Sequence, residues 1–256
     1  MSAPNESTPT AAAPLRIAMW SGPRTLSTAL LRSFANRPDT IGVDEPFYAH
    51  YLHATGVQHP GRDEVMGSQP IEPDEVVAQL LAPLPGGRTV HYQKHMAHHL
   101  LPGMPRDWLD QVRCVFLLRD PARVITSYTR VVPDARPEDL GAPQMVELFE
   151  RERARLGTTP PVIDSSDVLV DPRGILSRLC EQLGIEFSER QLSWAPGPRP
   201  FDGVWARYWY AGVEKSTGFG QPREDPVQLP ERFRDLHDEC ERHYRHLWEH
   251  RIRLEP

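Results

Sequence analysis

Cysteine is scarce in this 256-residue chain, which has three in all: Cys114, Cys180 and Cys240. Each sits among apolar residues of a predicted strand or helix. They read as buried thiols of a reducing, cytoplasmic compartment, and their spacing offers no zinc site. No apolar run approaches the length needed to cross a bilayer. The start, Ser2 to Pro14, has neither the basic residues nor the apolar core of a signal peptide. Positive charge is not in surplus either. The formal net charge is −6, which argues against general nucleic-acid binding, so any anion site has to be local. The Gly-Lys-Ser/Thr ending of the nucleotide-hydrolase phosphate loop is also missing.

With 39% hydrophobic residues and a mean hydropathy of −0.51, the composition is that of a soluble globular protein on the polar side. Residues 1–14 are rich in Ser, Thr, Ala and Pro and are expected to form a disordered tail, leaving 15–256 as one domain. The 27 prolines mostly fall between predicted elements and stiffen long loops. Strands are expected at 15–20, 40–43, 88–93, 112–118 and 162–163. Helices are expected at 25–36, 46–54, 72–81, 122–131, 138–156, 175–183 and 233–247. Residues 56–71 read as loop, and 195–230 carry many Pro, Gly and aromatic residues with no clear period. Val112 to Leu118 is a continuous apolar run, as in a strand covered on both faces. Strands alternating with helices imply an α/β fold, a central parallel sheet with helices on both sides in three layers.

The most informative stretch is Ser21-Gly22-Pro23-Arg24-Thr25-Leu26-Ser27-Thr28, between a strand and an amphipathic helix. A helix N-terminus offers free N–H groups and the positive end of a dipole. Arg24 adds a planar fork suited to phosphate or sulfate oxygens, and Thr25, Ser27 and Thr28 add hydroxyls. Without the lysine and the magnesium-binding hydroxyl, the loop is expected to hold an anion and no metal. A second group lies at the end of the 112–118 strand. Arg119 emerges there at the sheet edge where parallel α/β folds bind ligands, with Ser127 in the next helix, and the pair suits a separate phosphate. Histidines 95, 98 and 99 lack the carboxylate or cysteine pattern that would make them a metal site.

These motifs resemble the sulfotransferases that use 3′-phosphoadenosine 5′-phosphosulfate (PAPS). Pro23 to Thr28 is similar to that family's 5′-phosphosulfate loop, with Leu26 where the family usually has glycine. Arg119-Asp120-Pro121…Ser127 is similar to its 3′-phosphate segment. Ser165 to Ile185 looks like its late Asp-Pro helix ending in Leu-Gly. Val213-Glu214-Lys215-Ser216-Thr217-Gly218-Phe219 looks like the segment that closes over the nucleotide. The motifs stand in family order across residues 15–250. The resemblance implies a P-loop-like three-layer architecture and transfer of a sulfuryl group to a hydroxyl or amine of a small-molecule acceptor. PAPS would be the co-substrate, with no metal and no nucleic-acid partner. Gly22, Pro23, Arg24, Thr25, Leu26, Ser27, Thr28, Arg119, Ser127, Lys215 and Ser216 are the binding residues it implies. A homo-oligomer is compatible with it.

For the base that takes the acceptor proton, the resemblance offers Glu45, in a Glu-Pro context, or the Lys94-His95…His98 segment. In the second case Lys94 meets the bridging oxygen and His95 or His98 takes the proton. The Glu-Pro match is the closer one, since the histidines are offset in spacing. Each of these residues has an ordinary alternative: a surface pair for Arg119, a plain helix serine for Ser127, a loop charge for Glu45. Trp205, Tyr208, Trp209 and Tyr210 could cover a ligand or belong to the core. Leu26 is the feature that would favour a nucleotide-binding protein of the same fold without transfer activity. A nucleotide kinase is disfavoured by the missing Gly-Lys-Ser/Thr. The acceptor itself is not named, because loops 48–75, 95–108 and 195–225 would shape its pocket.

Overall fold

The computed structural model describes residues 13–222 and 225–253. In chain order the elements are β1 (Leu15–Ser21), α1 (Ser27–Ala35), β2 (Thr40–Asp44), α2 (Tyr48–Thr55), α3 (Arg62–Ser68), α4 (Pro73–Leu81), β3 (Val90–Met96), β4 (Arg113–Leu118), α5 (Pro121–Tyr128), α6 (Pro137–Leu140), α7 (Ala142–Leu156), β5 (Val162–Asp164), α8 (Ser165–Val170), α9 (Pro172–Leu183), α10 (Ala206–Trp209) and α11 (Arg234–Trp248), with short 3₁₀ turns between some of them. The strands form one parallel sheet in the order β2-β3-β1-β4-β5.

The period of two along each strand splits the core into two layers. Ala18, Trp20, Cys114, Phe116 and Leu118 face one side and pack on Met145, Leu148 and Phe149 of α7 and Leu247 of α11. Ile17, Met19, Val115 and Leu117 face the other and pack on Leu30, Leu31 and Phe34 of α1 and Ile175, Leu176 and Leu179 of α9. The expected three-layer α/β arrangement is therefore present. All three cysteines are buried and unbridged.

Several boundaries differ from expectation. The 56–71 stretch contains α3, which starts at a left-handed Gly61, carries Asp63 and Glu64 in its first turn and buries only Val65. One buried side chain leaves no periodic signal to read. The helix expected over 138–156 is two helices separated by Gly141 at φ 72°. A Cβ there would lie 3.1 Å from both the Ala97 Cβ and the His98 N. Among the described residues, segment 195–230 holds α10 and one 3₁₀ turn, Val213–Lys215. The tail expected over 1–14 lies, except for Ala13 and Pro14, outside the described residues.

β1 sits mid-sheet, and the chain runs outward from it to β2 on one side and later to β4 and β5 on the other. The carboxyl end of β1 is thus the switch point of the sheet, where such folds open a crevice. Gly22 follows immediately, and a Cβ on it would stand 2.5 Å from the Leu140 carbonyl oxygen. That neighbour is backbone and cannot swing aside. Gly22→Ala is expected to lower stability by about 1–3 kcal/mol through overpacking, read by urea unfolding. An unchanged midpoint would show that the loop yields freely.

Candidate active site

The β1–α1 turn is built as an anion cradle. Arg24 takes a left-handed backbone, φ 57°, and Thr25 Oγ1 donates to the Gly22 carbonyl at 3.2 Å, closing the turn. Leu26 is the N-cap of α1, at φ −91°, and no side chain caps the helix. The first intrahelical bond runs from the Leu30 N–H to the Leu26 carbonyl. The N–H groups of Ser27, Thr28 and Ala29 precede it, and these three residues line the adjoining cavity. The backbone at position 26 has negative φ, so leucine fits there without strain, and its side chain packs against the α1 side of the core.

The second motif braces the first. Arg119 Nη1 donates to the Arg24 carbonyl oxygen, and Arg24 Nε donates to Ser127 Oγ at 3.0 Å. Arg24 Nη1 also reaches the Trp209 carbonyl at 3.5 Å. Burial and the nearby Arg130 both lower the Arg24 pKa from its ordinary value. Arg130 is a third guanidinium at this end, and the sequence motifs did not single it out.

Sheet register assembles the other end. Asp44 of β2 and Lys94 of β3 are cross-strand partners. The Lys94 ammonium donates to Asp44 Oδ1 at 2.7 Å, to Glu45 Oε1 at 2.6 Å and to Tyr210 Oη at 2.8 Å. Tyr210 donates to Asp44 Oδ2 at 2.6 Å. Burial pushes the Glu45 carboxyl up; the Lys94 charge acts against that and the Asp44 charge adds to it. Burial acts to lower the Lys94 pKa, but the Asp44 and Glu45 carboxylates and Tyr210 outweigh it and hold the ammonium well above its ordinary value. Glu45 has φ 42°. Its N–H donates to the Lys94 carbonyl at 2.9 Å, and its own carbonyl accepts from Tyr48 N and Gln69 Nε2, so the strained backbone is held on both sides.

The two ends share a cavity of about 240 Å³. Pro23 to Thr28, Arg119, Glu45, Lys94 and His98 line it, as do Tyr48, His59, His99, Tyr128, Trp209 and Tyr210. Gly22 and Ser127 do not line it but are bonded to residues that do. Lys215 and Ser216 lie outside the lining; Gly212 and Val213 take that place. The Ser216 hydroxyl donates to the Val213 carbonyl and accepts from Trp194 Nε1. His95 is also elsewhere. One residue beyond Lys94, it points to the opposite face of the sheet, stacked on Trp20 at 4.4 Å between ring centroids and bonded to Gln93. The period of two that brings Lys94 in takes His95 out.

Burial holds His95 and His98 down to about 3 and His91 to about 4. His99, packed between Tyr48 and Tyr51, is also well below its ordinary value through burial. Of the aromatic cluster, Trp209 and Tyr210 line the cavity, Trp205 is buried beneath and Tyr208 is exposed. Asp44 was not singled out by the sequence, and Tyr210 only as a ligand cover or core residue, because only the sheet register and the return of the 205–213 segment bring them to Lys94. Among the described residues no three His, Cys, Asp or Glu side chains gather as a metal site, and no helix is long and apolar enough to cross a membrane.

Residues 15–245 match the family described as sulfotransferase domain. This chain belongs to that family. The sulfotransferase domain is 39% identical over 225 residues to branched-chain-amino-acid aminotransferase-like protein 1 of Arabidopsis thaliana, covering 88% of this chain but only 40% of that protein. Among solved structures it is similar to a sulfotransferase from Alicyclobacillus acidocaldarius, with TM-score 0.57, 14% identity and coverage of 94% and 98% of the two chains. It is also similar to the sulfotransferase domain of the curacin biosynthetic pathway, with TM-score 0.54, 18% identity and coverage of 92% and 98%. The structural likenesses support the fold, and the family match supports sulfuryl transfer.

The buried histidines of this sulfotransferase domain predict an acid-sensitive fold. Their folded pKa values lie below the unfolded value near 6.5, so the unfolded chain binds more protons between about pH 3 and 6.5. Stability is therefore present above that window and lost as pH falls through it, by about 2 kcal/mol each for His91, His95 and His98 between pH 7 and pH 5, with His99 acting in the same direction. Glu45, shifted upward, works in the opposite sense. Urea unfolding at the two pH values is expected to show the loss. His95→Phe, which keeps a ring against Trp20, should reduce it by one histidine's share, and a flat profile would contradict the buried neutral state.

Proposed function

We propose that this sulfotransferase domain moves a sulfuryl group from PAPS to a hydroxyl of a small-molecule acceptor, with Glu45 as the base. One observation carries the reading. A single cavity has a cationic loop rich in free N–H groups at one end and a buried carboxylate paired with lysine at the other. The fit to an anionic donor rests on that uncapped helix start beside Arg24 and Arg119. When bound, PAPS supplies a sulfuryl group on a phosphate leaving group. Arg24 and the N–H groups of Ser27 to Ala29 would hold the 5′ anion, and Arg119 and Ser127 the 3′-phosphate.

Lys94 donates to Oε1 of the Glu45 carboxylate at 2.6 Å, and Tyr210 Oη stands 3.4 Å from the same oxygen. Oε2 is the oxygen left to accept the proton of an acceptor hydroxyl. Its raised pKa brings it closer to the acidity a general base needs near neutral pH. The acceptor oxygen forms the new bond to sulfur as its proton passes to Glu45, and the bridging oxygen leaves with the electron pair. Charge on that oxygen would be met by Arg24 and by the Lys94 ammonium, which keeps Asp44 but loses the second of its two carboxylate partners as Glu45 becomes neutral. His98 lines the same cavity and is the alternative base, but burial holds its pKa down to about 3 and makes it a weak one, and His95 does not reach the cavity.

Calorimetry should show 3′-phosphoadenosine 5′-phosphate binding at least about tenfold more tightly than AMP, on charge-assisted bonds to the extra phosphate. Arg119→Ala should narrow that ratio, and using the ratio cancels any loosening of the loop. Equal affinity for the two nucleotides would remove Arg119 and Ser127 from the assignment.

Glu45→Gln is expected to keep nucleotide affinity and to lose roughly 10²- to 10⁴-fold in kcat. His98→Ala should be milder in a steady-state assay with PAPS. The reverse ranking would move the base to His98, and near-native rates in both would displace the site.

A further inference from the structure

We infer that Tyr210 is a positioning residue of the transfer reaction, fixing the Lys94 ammonium in a three-point seat with Asp44 and thereby setting the carboxylate of Glu45. This rests on the sulfuryl-transfer reading above and goes beyond it to a residue outside the sequence motifs. The argument is a count of donors and acceptors. An ammonium has three N–H groups, and a phenol has one O–H and two acceptor positions. Lys94 spends its three on Asp44 Oδ1, Glu45 Oε1 and Tyr210 Oη. The Tyr210 oxygen accepts from Lys94 at 2.8 Å and from Trp205 Nε1 at 3.2 Å, which fills both acceptor positions. Its single proton goes to the nearer carboxylate, Asp44 Oδ2 at 2.6 Å, rather than to Glu45 Oε1 at 3.4 Å.

The consequence is an unequal division of labour between the two carboxylates. Asp44 has both oxygens engaged, one by Lys94 and one by Tyr210, and its side chain is 1% exposed. Glu45 is 12% exposed and lines the cavity. Asp44 and Tyr210 therefore seat Lys94 from behind and leave its third N–H for Glu45. Tyr210 lies in the 205–213 segment that covers the cavity, so the cover and the base share one anchor.

Tyr210→Phe keeps the ring and removes only the oxygen. The chain has just two lysines, Lys94 and Lys215, so labelling lysine Nζ with ¹⁵N gives at most two ammonium signals. The Lys94 signal should be slow to exchange with water in the native protein, and in Tyr210→Phe it should shift or vanish while Lys215 stays put. In steady-state assays the variant should lose about tenfold or more in kcat with donor KM within about twofold. In the Glu45→Gln background the same change should cost within about twofold, because Tyr210 acts through Lys94 on that carboxylate. Val65→Ala is the packing comparison: it removes core volume from the cluster that holds Trp205 and Tyr210 and lowers stability, but it touches no hydrogen bond of Lys94, Tyr210 or Trp205, so kcat should stay within about threefold. An unmoved Lys94 signal, or equal kcat losses in Tyr210→Phe and Val65→Ala, would overturn the inference. If the native protein transfers nothing from PAPS, the sulfuryl-transfer reading fails, and the ammonium signal alone decides the role of Tyr210.

Discussion

A buried ammonium holds the carboxyl ends of β2 and β3 together. Lys94 joins the end of β2, the end of β3 and the segment that returns over them, through three hydrogen bonds to charged or polar groups. Two acidic side chains and one ammonium share a site in which Asp44 and Lys94 are 1% and Glu45 12% exposed. Such a cluster stabilises weakly against an apolar alternative, yet removing one partner costs about 3–5 kcal/mol because the remainder stays buried and unpaired. It therefore fixes geometry more than it adds stability. The wider chain makes the choice of lysine notable: it has two lysines, and the other basic residues are arginines. Arginine would present a flat fork, whereas three acceptors converging on one point suit the compact ammonium.

The anion end follows a different logic. Among the described residues, two non-glycine residues have left-handed backbone, Arg24 at this end and Glu45 across the cavity, and each is over-determined by neighbours. The loop motif and the 3′-phosphate motif, which read as two separate sites, form one bonded unit through Arg119, Arg24 and Ser127. A displacement of the Arg24 backbone or side chain is therefore felt by Arg119 and Ser127.

The layers of the fold were legible because apolar periodicity reports burial directly. Val112 to Leu118 read as a central strand and is one, and the stripe on α9 stops at Gly184 as its spacing suggests. What escaped was whatever depends on contacts distant along the chain. The α3 helix buries a single valine, and the Gly141 break is a backbone approach to Ala97 and His98. In the site, Arg24, Glu45 and Lys94 could be picked out because each stands in a local motif. His95 could not be separated from them without knowing which face of β3 points at α1. Asp44 and Tyr210 are 166 positions apart and carry no joint signature until they touch. Lys215 and Ser216 matched a motif by order, but the turn there spends the serine hydroxyl on its own backbone and on Trp194.

The central place of β1 also governs how the chain assembles during synthesis. The strand pairs with β3 and β4, and Ser21 finds its β4 neighbour only at Leu117. About a hundred residues must leave the ribosome between the two, which takes roughly 5–20 s at ordinary elongation rates of about 5–20 residues per second. Through that interval the apolar face of β1 and its unpaired edge wait for a partner. The brace from Arg119 to the Arg24 carbonyl comes after β4 in the chain, so the turn that ends β1 is completed from the same late side. A central strand made first and paired last on one edge leaves that edge open to other strands for the whole interval.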